Sequence, residues 1–201
     1  MPHSSLEPDS RATLLRTAAA AIEAGLGTRA EKLPDIDRLP ASLREPRASF
    51  VTLTIDGDLR GCCGTLEPAR PLAHDVWRNA QASAFRDPRF PRLLAREWRR
   101  TRIEVSVLTP CERIEVTSEE MLLDSLVPGA DGVLLAWRGM RATFLPKVWE
   151  QLDDPRVFLR HLKVKAGWAA DFWASDVEAW RYRTEIMASE RAALTDDEPG
   201  P

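Results

Sequence analysis

The 201-residue sequence has no long apolar run and few cysteines. No stretch approaches the roughly 20 consecutive apolar residues that a membrane-spanning helix needs, which excludes a membrane span. The start, MPHSSLEPDS, contains neither the basic region nor the apolar core of a secretory signal peptide. The three cysteines are an odd number and two of them are adjacent, which excludes a disulfide framework. These absences predict a cytoplasmic protein with reduced thiols.

An excess of positive charge is also absent, because the formal net charge is −3 at pH 7. This balance disfavours nucleic acid and anionic membranes as partners. The basic residues are mostly arginine, and their densest cluster is REWRRTR, which ends at Arg102. We interpret this cluster as a solvated helix end, with a phosphate-binding patch as the alternative.

Spacings typical of metal sites are missing as well. The sequence contains no Cys-x-x-Cys and no His-x-x-x-His pair. The adjacent Cys62 and Cys63 cannot easily direct both sulfur atoms to one ion, because the ligands of a tetrahedral site come from spaced positions. We therefore predict neither a metal site nor a cofactor.

The middle of the sequence has the hydrophobic periodicity of helices and strands, whereas its two ends are polar. Residues 1–9 and the acidic segment 188–201 are predicted to be disordered tails, and residues 10–187 the folded domain. Within the domain, helical spacing and strand pairs are interspersed without a regular βαβ rhythm. The prediction is an α+β fold with a largely antiparallel sheet and helices packed around it.

Individual elements follow from hydrophobic spacing and from capping residues. The predicted helices begin at Ser10 as a cap, at Pro71, at Thr117 or Ser118, at Pro146, and at Asp153 or Asp154. The predicted strands are a hairpin over 49–66, strands over 103–107 and 113–116, a hairpin turning at Arg138-Gly139, and a final strand from Val177 to Thr184.

The segment DLRGCCGT, residues 58–65, is the second strand of the first predicted hairpin. A two-residue turn at Asp56-Gly57 would direct Arg60 into the apolar core, which is unfavourable. We therefore predict a three-residue loop that ends with Gly57 in the left-handed region and shifts the register by one residue. In this register Leu53 lies opposite Leu59, and Val51 lies opposite Gly61.

In the predicted register the two adjacent cysteines are not equivalent. Cys63 faces the core as a small buried hydrophobe. Cys62 lies on the polar face with Arg60, Thr52 and Thr54. The flanking Gly61 and Gly64 lack side chains, which allows a bulge or the close approach of another backbone or of a ligand.

Cys62 beside Arg60 forms half of a nucleophile site. A guanidinium lowers the pKa of a thiol by stabilising the thiolate, and it offers two donors to a carboxylate or phosphate. No general base is close in the sequence, although His74 in the first turn of the next helix could fold back toward Cys62. A glycine-flanked bend with incidental cysteines is the structural alternative, and the local sequence leaves both open.

Three further polar residues extend the candidate site. Asp87 and Arg89 lie on the loop after the second predicted helix, and Glu104 lies on the polar side of a strand. The alternative interpretation is an ion pair that braces the loop, together with a solvated strand position.

These residues resemble those of the AMMECR domain, which in bacteria and archaea is called AmmeMemoRadiSam system protein A. The family's hallmark, Leu-Arg-Gly-Cys-Ile-Gly-Thr, is matched at residues 59–65 except that Cys63 replaces the isoleucine. The matching residues are Leu59, Arg60, Gly61, Cys62, Gly64 and Thr65. AFRDPRFPRL, IEVSVLTP, RATFLPKVWEQL, HLKVKAGWAADFW and YRTE match in the same order, so the resemblance covers about residues 10–187.

The resemblance implies a fold of two joined α+β subdomains with the hallmark facing a cleft. It implies ligand-binding roles for Arg60, Gly61, Cys62, Gly64 and Thr65. The family's isoleucine at position 63 supports a core-facing Cys63. His74 lies outside the family's pattern, which weakens the idea of a Cys62–His74 pair.

The resemblance also sets the functional expectation, although the family lacks a settled activity. Its name records an association with a Memo-like protein and a radical SAM protein. We expect an accessory or binding component that uses the Arg60-Gly61-Cys62 segment to recognise an anionic ligand or partner. The alternative is a thiol-dependent enzyme in which Cys62 is the nucleophile and Arg60 stabilises negative charge.

Overall fold

The computed structural model describes residues 5–190, which form two compact units. The described part of the first unit comprises residues 5–108 and 185–190, and the second unit is Thr109–Thr184. Among the helices of residues 5–190, none combines the length and the hydrophobicity that a membrane span requires. All predicted site residues, from the hallmark to Glu104, belong to the first unit.

The described chain contains six α-helices, two short 3₁₀ helices and eight strands. The α-helices are α1 (Pro8–Gly25), α2 (Ala41–Arg44), α3 (Leu72–Phe85), α4 (Ala95–Trp98), α5 (Glu119–Ser125) and α6 (Pro155–Lys165). The 3₁₀ helices span Ile36–Arg38 and Pro146–Glu150. The strands are β1 (Ser49–Ile55), β2 (Asp58–Gly64), β3 (Thr101–Leu108), β4 (Glu112–Ile114), β5 (Gly132–Trp137), β6 (Met140–Phe144), β7 (Glu178–Tyr182) and β8 (Thr184–Glu190). The predicted α+β class is confirmed.

The first unit is built on a sheet with strand order β2-β1-β3-β8, in which β1 is antiparallel to β2 and β3. Alternate residues of β1 and β3, such as Val51 and Val105, are fully buried in one apolar cluster with α1 and α3. The two-residue period of a strand places the intervening residues, including Thr52 and Glu104, on the opposite face. Because β2 is an edge strand, its outer backbone groups need partners from outside the sheet.

The second unit has its own sheet, with order β4-β7-β5-β6 and antiparallel pairing. Its apolar core packs α6 and the Pro146–Glu150 helix against this sheet, and the rings of Trp149 and Phe158 stack with centroids 3.8 Å apart. The predicted turn at Arg138-Gly139 is confirmed, because both residues have positive φ between the paired strands β5 and β6.

Helix α1 begins earlier than the sequence predicts. Pro8 is its first residue, whereas Ser10 is buried within the first turn with its Oγ 3.2 Å from the Oγ of Ser42. Ser10 as the cap is therefore wrong, because the fixed φ of Pro8 already suits the first helical position. Ordered structure thus precedes residue 10, and residues 1–4 of the predicted tail lie outside the described residues.

The predicted strand from Val177 to Thr184 is confirmed as β7, but it is not the final strand, because β8 follows it. β7 belongs to the second sheet and β8 to the first, with Arg183 between them. The backbone of Arg183 leaves both ladders and bonds Thr109 instead, through its N–H and its carbonyl. β8 continues to Glu190, beyond the predicted domain end at 187, and residues 191–201 lie outside the described residues.

The β1–β2 hairpin contains a bulge that the sequence analysis did not predict. Asp56 and Gly57 both have positive φ and form a two-residue turn, so the predicted three-residue loop is wrong. Thr54 pairs with Leu59, but Leu53 pairs with Gly61, which leaves Arg60 as the extra residue of the bulge. The bulge permits the two-residue turn without directing Arg60 into the core.

Beyond the bulge, the cysteines lie on the predicted faces. Thr52 pairs with Cys62, and Val51 pairs with Cys63. Cys63 therefore shares the side of the buried Val51, although it is half-buried instead of fully buried. The predicted pairings of Leu53 with Leu59 and of Val51 with Gly61 are wrong, since the bulge moves each partner and exposes Leu59.

Candidate functional site

A stripe of polar side chains lies on the buried side of α3. Asp75, Asn79 and Ser83 are spaced four residues apart, so they share one face of the helix. All three are buried, and each is hydrogen-bonded to β1. We call these three residues the α3 seam, because they join α3 to the hairpin that carries the hallmark.

Asp75 is the best-connected member of the α3 seam. Its Oδ2 accepts hydrogen bonds from the Ser49 N–H at 3.0 Å and from the Ser49 hydroxyl at 2.7 Å. The same oxygen accepts from the Thr65 hydroxyl at 2.7 Å and from Asn79 Nδ2 at 2.8 Å. Arg70 Nη1 donates to Oδ1 at 3.1 Å. The hallmark threonine therefore holds a buried carboxylate of α3.

Ser83 connects the α3 seam to both strands of the hairpin. Its hydroxyl accepts from the Cys63 N–H at 2.9 Å and donates to the Val51 carbonyl at 2.7 Å. A Cβ at Gly61 would overlap the carbonyl oxygen of Ser83. Position 61 therefore requires glycine for β2 to approach α3 this closely. Gly64 has a similar role, because a Cβ there would overlap the ring of Phe50.

Asp87 and Arg89 hold the outer backbone edge of Cys62. The Cys62 N–H donates to Asp87 Oδ2 at 2.9 Å, and Arg89 Nη2 donates to the Cys62 carbonyl at 3.1 Å. Arg89 also donates to Asp87 through Nε at 3.0 Å and Nη2 at 2.7 Å. The Arg89 guanidinium, and then the Cys62 N–H, hold the pKa of the buried Asp87 carboxyl well below its usual range. The pair thus supplies the partners that this edge strand lacks.

Arg60, the bulged residue, binds the segment that follows the Asp87 loop. Its Nε and Nη2 donate to the two carboxylate oxygens of Glu97 at 3.0 and 3.1 Å. It also donates to the carbonyls of Pro91 and Arg92 at 2.9 and 3.2 Å. The bidentate pair lowers the pKa of Glu97. The guanidinium is therefore engaged by protein acceptors and braces residues 91–97.

The Cys62 thiol lies in a row of polar side chains that crosses three strands. Thr52 Oγ1 donates to Cys62 Sγ at 3.4 Å. Thr52 pairs with Cys62 on one side and with Glu104 on the other, so the three side chains share the face opposite the helices. All three are half-buried. The row therefore holds a thiol, a hydroxyl and a carboxylate within two strand spacings, about 10 Å.

Cys63 should react slowly with alkylating reagents. Burial raises the pKa of its thiol, and the nearby Asp87 charge raises it further. We expect iodoacetamide to modify Cys63 several-fold more slowly than free cysteine near about pH 8, because the thiolate is the reactive form. Timed alkylation of a Cys62→Ser/Cys111→Ser variant, followed by mass spectrometry, measures the rate. The same variant unfolded in guanidinium serves as the control, and equal rates in both states would contradict the expectation.

The structure brings together some predicted site residues and separates others. Cys62, Asp87 and Arg89 are in direct contact, and Glu104 lies in the Cys62 row. The side chains of Arg60 and Thr65 are bonded to Glu97 and Asp75. His74 Nε2 lies 3.0 Å from the carbonyl oxygen of Pro34, so its hydrogen bond goes to another part of the chain.

Several of these partners were missed by sequence reasoning. The α3 seam was detectable, because its polar residues recur every four positions on a helix that is otherwise apolar on that side. Thr52 was placed on the polar face but was not recognised as the partner of the thiol. Glu97 carries no local signal, since it is 37 positions from Arg60.

A sequence model of the AMMECR1 family matches residues 15–187. The chain belongs to the AMMECR1 family. A family relative from Methanothermobacter thermautotrophicus is 36% identical over 190 residues, which cover 93% of this chain and 98% of that protein. A protein from Thermofilum pendens is 35% identical over 194 residues, which cover 90% of this chain and 91% of that one.

The crystal structure of an uncharacterized protein from Pyrococcus horikoshii has the same fold. Its TM-score is 0.81 at 33% identity, and the match covers 92% of this chain and 94% of that chain. Within residues 59–65 of this chain, Arg60, Gly61, Gly64 and Thr65 serve packing and bracing contacts. The chemistry that the site can offer is thus concentrated at Cys62 and its neighbours.

Proposed function

We propose that this AMMECR1-family protein is a binding component that acts with a Memo-like protein and a radical SAM enzyme. The face of the first sheet around Cys62 recognises an anionic ligand or partner. The partner classes are supported by the name that the family carries in bacteria and archaea, AmmeMemoRadiSam system protein A. The contact face is supported by the arrangement of the hallmark.

The polar groups of the hallmark differ in how strongly they are already hydrogen-bonded, and this difference is the main support for the proposal. The Arg60 guanidinium and the Thr65 hydroxyl donate strong hydrogen bonds to carboxylates of the first unit. The Cys62 thiol accepts one longer hydrogen bond from Thr52 on a half-buried face. Asp87 and Arg89 meanwhile fix the Cys62 backbone on both sides. The Cys62 thiol is held on a rigid backbone, while the other polar side chains of the hallmark are already bonded within the protein. This arrangement suits recognition, because binding would cost little conformational entropy at Cys62.

Arg89, whose charge is paired with Asp87, offers a remaining guanidinium donor to an anionic ligand near Cys62. Its side chain is 54% exposed, whereas that of Arg60 is 12% exposed. Its Nη1 makes no hydrogen bond within the described part of the chain, while Nε and Nη2 hold Asp87 and the Cys62 carbonyl. A carboxylate or phosphate bound at Nη1 would therefore lie beside the Cys62 backbone.

Co-purification with the two partner proteins tests the proposal. The wild-type chain is expected to retain a Memo-like protein, a radical SAM protein or both when all three are expressed together. A Cys62→Ala variant should weaken this retention by about tenfold, as removal of a central contact does. Cys111→Ala, a change at an exposed cysteine of the second unit, is the matched control and should bind as the wild type does. Wild-type protein that retains neither partner, or a Cys62→Ala variant that retains both fully, would overturn the proposal.

A thiol-dependent enzyme is the second candidate, favoured by the Cys62–Thr52–Glu104 row. A carboxylate and a hydroxyl share one face with the thiol, and the carboxylate is a group that can accept the thiol proton and leave a thiolate nucleophile. This candidate requires a covalent adduct at Cys62 during turnover. Intact-mass spectrometry of the complex, before and after substrate exposure, distinguishes it from recognition alone, since recognition leaves the mass of the chain unchanged.

A further inference from the structure

Residues 86–102 form the most strongly basic segment of this acidic chain, and we call them the arginine segment. It contains seven arginines and two acidic residues, Asp87 and Glu97, within a chain of net charge −3. The proposed function uses only Arg89 of these arginines, so most of the positive charge is not accounted for by the Cys62 site.

Both acidic residues of the arginine segment are already neutralised. Asp87 is bonded to Arg89 at 2.7 Å, and Glu97 is bonded to Arg60, outside the segment, at 3.0 Å. Arg100 pairs with Asp56. The remaining positive charge is therefore not cancelled by the segment's own carboxylates.

Three arginines of the segment present their charge to solvent. Arg86, Arg96 and Arg99 are exposed, and their side chains form no ion pair within the described residues. Long cationic side chains that are not used in folding mark a surface available to an anionic partner.

The backbone that presents these arginines is held in place. Arg60 donates to the carbonyls of Pro91 and Arg92, and the Leu93 N–H donates to the Ala84 carbonyl at 2.7 Å. The Leu94 N–H donates to Glu97 at 2.8 Å. A prearranged backbone lowers the entropy cost of binding a partner at this segment.

Exposed apolar side chains accompany the arginines. Leu94, within the segment, is 44% exposed, and Leu59, next to Arg60 on β2, is 43% exposed. An apolar contact among cationic groups matches a peptide that carries both acidic and apolar residues. We infer that the arginine segment docks an acidic segment of a partner protein that also inserts an apolar side chain.

Nucleic acid fits this surface less well than an acidic peptide does. The aromatic rings of the segment are already covered, with Arg89 over Phe90 at 5.4 Å and Trp98 buried. Arg92 likewise lies 5.0 Å from the ring of Phe85, just before the segment. Bases therefore find no exposed stacking platform there. The net negative charge of the rest of the chain also repels a long polyanion.

Fluorescence anisotropy with the full chain tests the inference. The probe is a fluorescein-labelled peptide of Glu-Glu-Leu repeats, and the comparison probes are its Gln-Gln-Leu counterpart and a single-stranded DNA of equal charge. We expect the acidic peptide to bind, the neutral peptide not to bind, and the affinity to fall as salt is added. An Arg86→Gln/Arg96→Gln/Arg99→Gln variant should bind the acidic peptide about tenfold more weakly.

The matched control removes the same charge elsewhere. Arg44, Arg156 and Arg160 are also exposed and unpaired within the described residues, and their joint replacement by glutamine should change the affinity by less than about twofold. Equal weakening by both triple variants would show a nonspecific charge effect and overturn the inference. DNA that binds as tightly as the acidic peptide would overturn it as well, as would a failure of the acidic peptide to bind. None of these outcomes depends on Cys62, so they are distinguishable from failure of the proposed function.

Discussion

An Asp75→Ala variant is expected to lose about 3–5 kcal/mol of its free energy of unfolding. Asp75 is 1% exposed and accepts hydrogen bonds from five donors on Ser49, Thr65, Asn79 and Arg70. Alanine would leave the two buried donors of Ser49 without this acceptor, and each of them then keeps its desolvation penalty. Both the hairpin and α3 depend on this carboxylate, so the loss should affect the whole first unit.

An Asp75→Asn variant separates the hydrogen bonds from the charge. An amide oxygen in place of Oδ2 still accepts from Ser49, Thr65 and Asn79, while the ion pair with the partly exposed Arg70 is lost. We expect this variant to lose about 1–2 kcal/mol, less than the alanine variant loses. It also keeps the prediction testable if Asp75→Ala fails to fold.

Urea denaturation followed by tryptophan fluorescence measures both variants. Asp58→Ala, which removes an exposed carboxylate from β2, is the control and should change the free energy of unfolding by less than about 0.5 kcal/mol. If Asp75→Ala is as stable as this control, the α3 seam does not hold the unit together as its geometry indicates.

The hydrophobic pattern was sufficient to predict which face each cysteine takes. A strand has a side-chain period of two, so the buried Val51 and Leu53 restrict the faces available to the paired strand. The pattern could not show how the chain reaches that register. Asp56-Gly57 suits a two-residue turn, and the conflict with Arg60 is removed by a bulge, which is a local irregularity with no periodic signature.

The hydrogen-bond partners of the hallmark residues show a second limit of prediction from the sequence. Asp75, Asn79 and Ser83 recur at helical spacing, so the existence of a polar helix face was readable from the sequence. Its partners in β1 and β2 were not, because they depend on how the helix packs on the sheet. The contacts of Arg60 differ from the sequence-based interpretation for the same reason. Arg60 lies two residues before Cys62, a position that suggests an anion site. Its acceptors, however, lie in a segment that only the tertiary fold brings close.

A Gly61→Ala variant is expected to lose about 3 kcal/mol of its free energy of unfolding, at the upper end for an overpacked interior. The new Cβ would overlap the carbonyl oxygen of Ser83, which is a backbone atom within α3. Neither β2 nor the helix can move far, because Ser83 accepts from the Cys63 N–H of β2 and Asp75 accepts from Thr65, which directly follows β2. The same denaturation measurement applies.

Gly57→Ala is the matched comparison for Gly61→Ala. At Gly57 the added methyl meets no atom within 4 Å, but the φ of +92° disfavours alanine, which costs about 1 kcal/mol. If Gly61→Ala costs no more than Gly57→Ala, β2 does not approach α3 as closely as the structure shows. If it costs several times more, the hallmark glycine is explained by the contact between strand and helix. Gly61 would then keep Cys62 in position from the buried side of the sheet, without itself lining the proposed contact face around Cys62.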